Sequence, residues 1–325
     1  MSETIDKALQ KPLLSRLSIA MFGMVMGAGG LGNAWTLAHA VLGVPALIGH
    51  ALLALATTLF VLLVLVHLAK LLWHADAVRE EFAHPVRSSF FPAVSVAAIV
   101  LSIGLRVPCE AAAQLLWWFG ASLHLLLALT LIRRWIIKPQ DESVLTPAWF
   151  IPVVGNILVP VGGAPLGHVE ISWFFFSVGL VLWLSFFPIV LHRVLFAPEL
   201  SARSLPTLFI LLAPPSIGLS AYLAFTHGVA GPLADILYCF ALFIAMLLAS
   251  LWRHVSHGPF FMSWWAMTFP AAGWAGATLA FCHARPSDYA VVIAWAALGV
   301  ASVIVAMVAA RTAVHMVTGR AFSED

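Results

Sequence analysis

Ten apolar stretches, separated by connections too short to fold on their own, occupy nearly the whole chain. They cover residues 14–39, 46–73, 89–105, 112–137, 146–163, 171–196, 205–225, 233–253, 259–282 and 289–316. Crossing the hydrocarbon core of a bilayer takes about 20 mostly apolar residues in helical form. The expected fold class is therefore an all-α integral membrane protein with ten transmembrane helices. Composition agrees: 62% of the residues are hydrophobic and 9% charged, against roughly a quarter charged in a soluble domain. The expected organisation is a tail over 1–13, one transmembrane domain over 14–316 and a second tail over 317–325. Residues 1–13 show no signal-peptide core.

The basic residues orient these stretches. Lys and Arg collect on the cytoplasmic side of a membrane protein. The two tails and the even-numbered connections hold 14 of the 16 basic residues, whereas the odd-numbered connections hold only Arg106 and Arg285. A miscounted helix would scramble that alternation. It predicts both termini in the cytoplasm.

Helix breakers alternate too. The odd stretches contain 21 Gly and Pro residues and the even ones 5. Proline inside a helix removes a hydrogen bond and clashes with the preceding turn. In lipid the freed backbone groups must meet protein or water. The simplest arrangement is five helical hairpins in quasi-fivefold order, odd helices inside around a pore and even helices outside. Gly27, Gly30, Pro92, Pro152, Pro214, Pro215 and Pro270 are the expected kinks of the inner helices. Close helix packing is the other use of small residues in membranes.

All 14 acidic residues lie at stretch ends, in connections or in tails. Proton-coupled carriers and cation pathways depend on carboxylates inside the membrane, so their absence favours an anion. A broken helix whose second half begins near the midplane adds free N–H groups, which attract anions. The carbonyls freed by the same break attract cations, and the sequence leaves open which set faces the axis.

Several stretches carry a family likeness: FGMVMGAGGLGNAW (22–35), HPVRSSFFP (84–92), TPAWFIPVVGNILVP (146–160), WFFFSVGLVLW (173–183), PTLFILLAPPSIGLSAYL (206–223) and SWWAMTFP (263–270). They resemble the tellurite-resistance and dicarboxylate transporter family. That family takes in bacterial TehA-type proteins, the slow anion channels of plant guard cells and fungal malate permeases. The resemblance implies five hairpins around an inner pore, a homotrimer with one pore per protomer, and anion conduction or transport. It also implies that Phe269, in Trp265-Ala266-Met267-Thr268-Phe269-Pro270, plugs the closed pore; Met267 stands where the family commonly has an aromatic.

Other candidates are weaker. His84 and Arg87 suit a helix start with a positive-inside anchor better than a cytoplasmic anion contact, which stays as the functional alternative. Asn156, in the middle of an odd stretch, suits a polar pore contact or an interhelical hydrogen bond. Trp73, Trp117, Trp118, Trp135 and Trp149 are expected as interfacial anchors. Haem ligation is disfavoured because His67 and His124 fall on even stretches. Cys109, Cys239 and Cys282 show no metal-binding spacing, and no nucleophile–base pair marks an enzyme. No cofactor or metal is expected. The expected partners are small inorganic or organic anions, membrane lipid and further copies of the chain, with no nucleic acid. The alternative reading is a proton-coupled carrier of dicarboxylates or tellurite-like oxyanions, with His124 as proton carrier.

Overall fold

The computed structural model describes residues 12–318, and no strand occurs among them. The tails expected at 1–13 and 317–325 lie almost wholly outside the described residues. The main helical segments are α1 (Phe22–Leu42), α2 (Ala46–Trp73), α3 (Ala93–Leu105), α4 (Glu110–Ile137), α5 (Pro147–Gly163), α6 (Val169–Phe196), α7 (Ala213–Phe225), α8 (Pro232–Ser250), α9 (Thr268–Ala284) and α10 (Asp288–Val317). The second connection contains a further short helix, Ala75–Ala83.

Seven stretches among the described residues are long and apolar enough to cross a membrane: the five even helices and the extended segments Arg87–Leu105 and Leu205–Phe225. α5 is apolar but shorter, and α1 and α9 fall outside the set. Burial also separates odd segments from even ones. A helix enclosed by protein can be built from Gly, Ala and polar residues, because it has no lipid contact to satisfy. In an apolar stretch of 18 residues from each, buried residues make up 67% and 72% for Arg87–Leu105 and Leu205–Phe225 but only 22% to 39% for the even helices. The even helices turn leucines such as Leu62, Leu65 and Leu72 outward.

Packing follows the same division. Each even helix lies against the odd helix before it. The odd helices also touch one another in sequence, α1 on α3, α3 on α5, α5 on α7 and α7 on α9, and α9 returns to α1.

The helix breakers leave a consistent mark. Every odd helix contains or follows a 3-10 turn: Ile19–Met21, Arg87–Phe90, Pro147–Trp149 with Gly155–Leu158, Leu205–Leu212 and Met262–Met267. No even helix is preceded by such a turn, and among the described residues the one remaining 3-10 turn is Glu142–Val144, in a connection. A 3-10 turn is narrower and is held by shorter-range bonds than an α-helix. Proline fits where it gives way to α-helix, because the first turn has no use for that N–H. Pro214 and Pro215 occupy the first turn of α7, and Pro92 precedes α3.

Two expectations need correction. Gly27 and Gly30 are not breaks, since α1 runs as one α-helix from Phe22 to Leu42. Their missing Cβ atoms let α9 approach: one at Gly27 would collide with Thr268, and one at Gly30 would stand 3.2 Å from the Ala272 Cβ. The breaks also fail to present free N–H groups. At each 3-10/α junction the N–H is engaged, Ala213 donating to Ile210 and Thr268 to Trp265. Pro160, Pro214, Pro215 and Pro270 have none to offer.

The ends of the even helices tie the hairpins shut. α2, α4 and α6 are each 28 residues long, with Lys70, Arg134 and Arg193 three residues before their ends. Each of these side chains reaches back to carbonyls leading into its own hairpin. Lys70 Nζ donates to Leu17 O at 2.7 Å, Arg134 Nη1 to Phe82 O at 2.6 Å and Arg193 Nε to Glu142 O at 3.0 Å. Lys70 also pairs with Glu81 at 2.6 Å, with both side chains almost fully buried. Glu81 in turn accepts from the Ile19 N–H at 2.7 Å. In the last hairpin Trp265 Nε1 donates to Thr312 Oγ1 at 2.9 Å. Trp117, expected as an interfacial anchor, is instead fully buried and donates to Val159 O at 2.9 Å, joining α4 to α5. Trp135 stacks on Trp149.

Candidate functional site

A cavity lies between the odd segments. Every odd segment contributes to its wall and no even helix does: Gly23 and Met26 from α1, Ala93 and Val96 from α3, Val154 and Leu158 from α5, Pro214 and Ile217 from α7, and Phe269 and Pro270 from α9. The wall carries no charged side chain, and its one hydroxyl, Ser263, donates to Arg203 O at 2.6 Å. Such a space offers a passing ion neither a counter-charge nor water-replacing ligands.

The Phe269 ring is half-buried and turned into this cavity. Its position follows from local structure. The 3-10 turn Met262–Met267 ends one residue after Ala266, α9 begins at Thr268, and Pro270 sits in its first turn. Gly30 of α1 lies against the ring: a Cβ there would be 3.3 Å from Phe269 Cδ2.

A second cavity shares Ala20, Phe90, Met262 and Ser263 with the first. Its wall brings together Arg16, Arg87 and Arg203 with Ser18, Thr146, Ser204 and Thr207. Arg203 lies over the Phe261 ring, 5.2 Å from its centre. The two cavities thus form a basic space leading to an apolar one.

The candidates from the sequence separate here. Phe269, Pro214 and Pro270 line the apolar cavity and Arg87 lines the basic one. Pro92, Pro152, Pro215, Gly27 and Gly30 stand behind the wall. His84 lies outside both walls, and its Nδ1 accepts from the N–H groups of Val86 and Arg87 at 3.1 and 3.2 Å, fixing the turn that carries Arg87. Burial, then the Arg87 and Arg134 charges, hold the His84 pKa below its usual value. Asn156 faces α6 rather than the cavity. Its Nδ2 donates to Val153 O at 2.9 Å, and its Cβ lies 3.1 Å from where a Cβ on Gly179 would stand. Arg16, Arg203 and Thr146 were not singled out from the sequence. The available signal was positional: Arg16, Arg87 and Arg203 each lie at or just before the 3-10 turn of an odd segment.

Residues 16–313 match the family profile described as SLAC1, voltage-dependent anion channel. The chain belongs to the SLAC1 family. Within it, the chain is 29% identical over 318 residues to the S-type anion channel SLAH3 of Arabidopsis thaliana, covering 94% of this chain and 49% of that protein. It is 26% identical over 269 residues to the tellurite resistance protein TehA homolog of Haemophilus influenzae, covering 82% of each. The guard cell S-type anion channel SLAC1 of Arabidopsis thaliana is 25% identical over 293 residues, 87% of this chain and 52% of that protein. The chain therefore spans about half the length of these two plant relatives. With its apolar helices, SLAC1-family membership makes it a multi-pass membrane protein.

Proposed function

We propose that this protein passes small anions across a bacterial cytoplasmic membrane through the apolar cavity, with Phe269 as the closed gate. The observation that carries the reading is the cavity wall, contributed by all the odd segments, by no even helix, and including Phe269. The closed order of contacts among the odd helices, and the even helix packed on each, support five hairpins around a quasi-fivefold axis. α1 and α9 then complete a set of ten spanning helices. Both termini lie on the cytoplasmic side, where Arg16, Arg87 and Arg203 draw anions toward the apolar section. A positively charged mouth raises the local anion concentration, and a neutral constriction blocks ions by staying dry while a ring fills it. The homotrimer rests on the family resemblance.

The test is the reversal potential of reconstituted protein in a salt gradient. It is expected to follow the anion, and a cation-selective current overturns the reading. A proton-coupled carrier of dicarboxylates or tellurite-like oxyanions is the second reading. It draws on His124, a fully buried ring 2.9 Å from Ser95 Oγ and packed on Gly155, which lines the cavity. Proton uptake in fixed ratio to anion flux would establish the carrier.

A further inference from the structure

The basic residues at this end of the molecule fall into two groups. Lys70, Arg134 and Arg193 are engaged with backbone carbonyls, and Lys70 with a carboxylate as well. They fasten the hairpins. Arg87 differs. Among the described residues its guanidinium takes part in no hydrogen bond or ion pair, and its Nε is buried without an acceptor. Leaving a buried donor unsatisfied costs free energy, more so on a charged group. Across the same cavity wall stands Thr146, 3% exposed, whose hydroxyl is also buried without a partner. Thr146 occupies the cap position of the turn Pro147–Trp149, where a hydroxyl ordinarily accepts from the helix start, yet its side chain makes no cap bond. Neighbouring hydroxyls are engaged: Thr207 donates to Ser204 O at 2.6 Å and Ser263 to Arg203 O at 2.6 Å. Two donors, one of them charged, are thus left over in one wall, next to the turn that leads into the apolar cavity.

We infer that Arg87 and Thr146 form a holding site for a small monovalent anion with two or more acceptor oxygens, a carboxylate-type ligand. This deepens the proposed function and rests on it for the direction of passage. A guanidinium presents several N–H groups in one plane and suits two oxygens of one anion. The Thr146 O–H supplies a donor from a second direction. A halide is attracted by the charge but has no second atom to use it. Here the anion exchanges part of its water for protein donors before meeting a wall that offers none.

The experiment uses the full chain, with formate and chloride as probes. Currents are recorded in the Phe269→Ala background at rising concentrations of each anion on the Arg87 side. Thermal unfolding of the protein with native Phe269 is followed over the same series, since a ligand that binds only the folded state raises Tm. Thr146→Val keeps the shape and removes one hydrogen bond. It is expected to raise the half-saturating formate concentration about 3- to 10-fold and leave chloride within about 2-fold. Arg87→Gln is expected to raise it more than about 10-fold and to abolish the formate-dependent Tm rise. Arg87→Lys, which keeps the charge without the planar edge, is expected to weaken formate more than chloride. Unchanged formate dependence in Thr146→Val and in either Arg87 variant overturns the site, whatever the channel does. If one Arg87 variant fails to fold, the other two substitutions decide. A Tm pattern as expected with no current in any variant upholds the site and removes the channel reading instead.

Discussion

The Phe269 ring rests on Gly30. A Cβ at Gly30 would stand 3.3 Å from Cδ2 and 3.7 Å from Cε2 of that ring. The side chain proposed as the gate is therefore supported from α1 by the absence of an atom. Gly30→Ala is expected to push the ring off its resting position and give a basal anion current. Phe269→Ala is expected to raise current further, by roughly an order of magnitude, equivalent to about 1.4 kcal/mol off the barrier. Because Phe269 is half-buried against a cavity, its truncation is expected to cost well under the roughly 3–5 kcal/mol of an emptied core phenylalanine. Currents and Tm of both variants check this. A Phe269→Ala protein that is stable but conducts no more than the parent refutes the gate.

Gly27 lies one helical turn earlier and has no such tolerance. A Cβ there meets Thr268, whose hydroxyl donates to Trp265 O at 2.7 Å, so the obstacle is a buried side chain already held in place. Gly27→Ala is expected to cost about 1–3 kcal/mol through overpacking, without new current. Gly27→Ala combined with Thr268→Ala is expected to recover part of the loss in thermal unfolding.

The Lys70–Glu81 pair holds the Leu17–Ile19 turn at the start of the first hairpin. Breaking a buried pair from one side leaves a bare charge and costs about 3–5 kcal/mol. Lys70→Met and Glu81→Gln are each expected to destabilise strongly. The double substitution is expected to cost less than the sum of the two, as a double-mutant cycle on Tm or denaturant midpoint would reveal.

His84 titrates outside the membrane segments. Its folded-state pKa is lowered from 6.5 by burial and by the Arg87 and Arg134 charges. As pH falls below about 6.5 the unfolded chain takes up the proton before the folded one, so stability declines from there down to the lowered pKa. Protonation also removes the acceptor that holds the Val86 and Arg87 N–H groups. The parent is expected to lose more Tm than His84→Asn between pH 7 and pH 5, since asparagine carries no titrating group. Parallel pH profiles for the two proteins would exclude this role.

Some of this molecule could be read without its structure. Hydropathy, proline content and the run of basic residues are local properties of a chain, and lipid and water sort them locally. That is why the apolar even helices, the breaker-rich odd helices and the family motif around Phe269 were legible. The 3-10 turns follow the Gly- and Pro-rich segments for the same reason. What neighbours a residue is not local. Gly27 and Gly30 read as kinks because their use depends on Thr268 and Phe269, more than 200 residues away. Asn156 read equally as a pore contact or an interhelical partner, because the rotation of its helix, which packs Asn156 against Gly179, decides whether it faces the cavity or α6. Arg16, Arg87 and Arg203 were counted alike with Lys70, Arg134 and Arg193. Only tertiary packing, which gives the second group carbonyl partners and brings the first around one cavity, makes them chemically different.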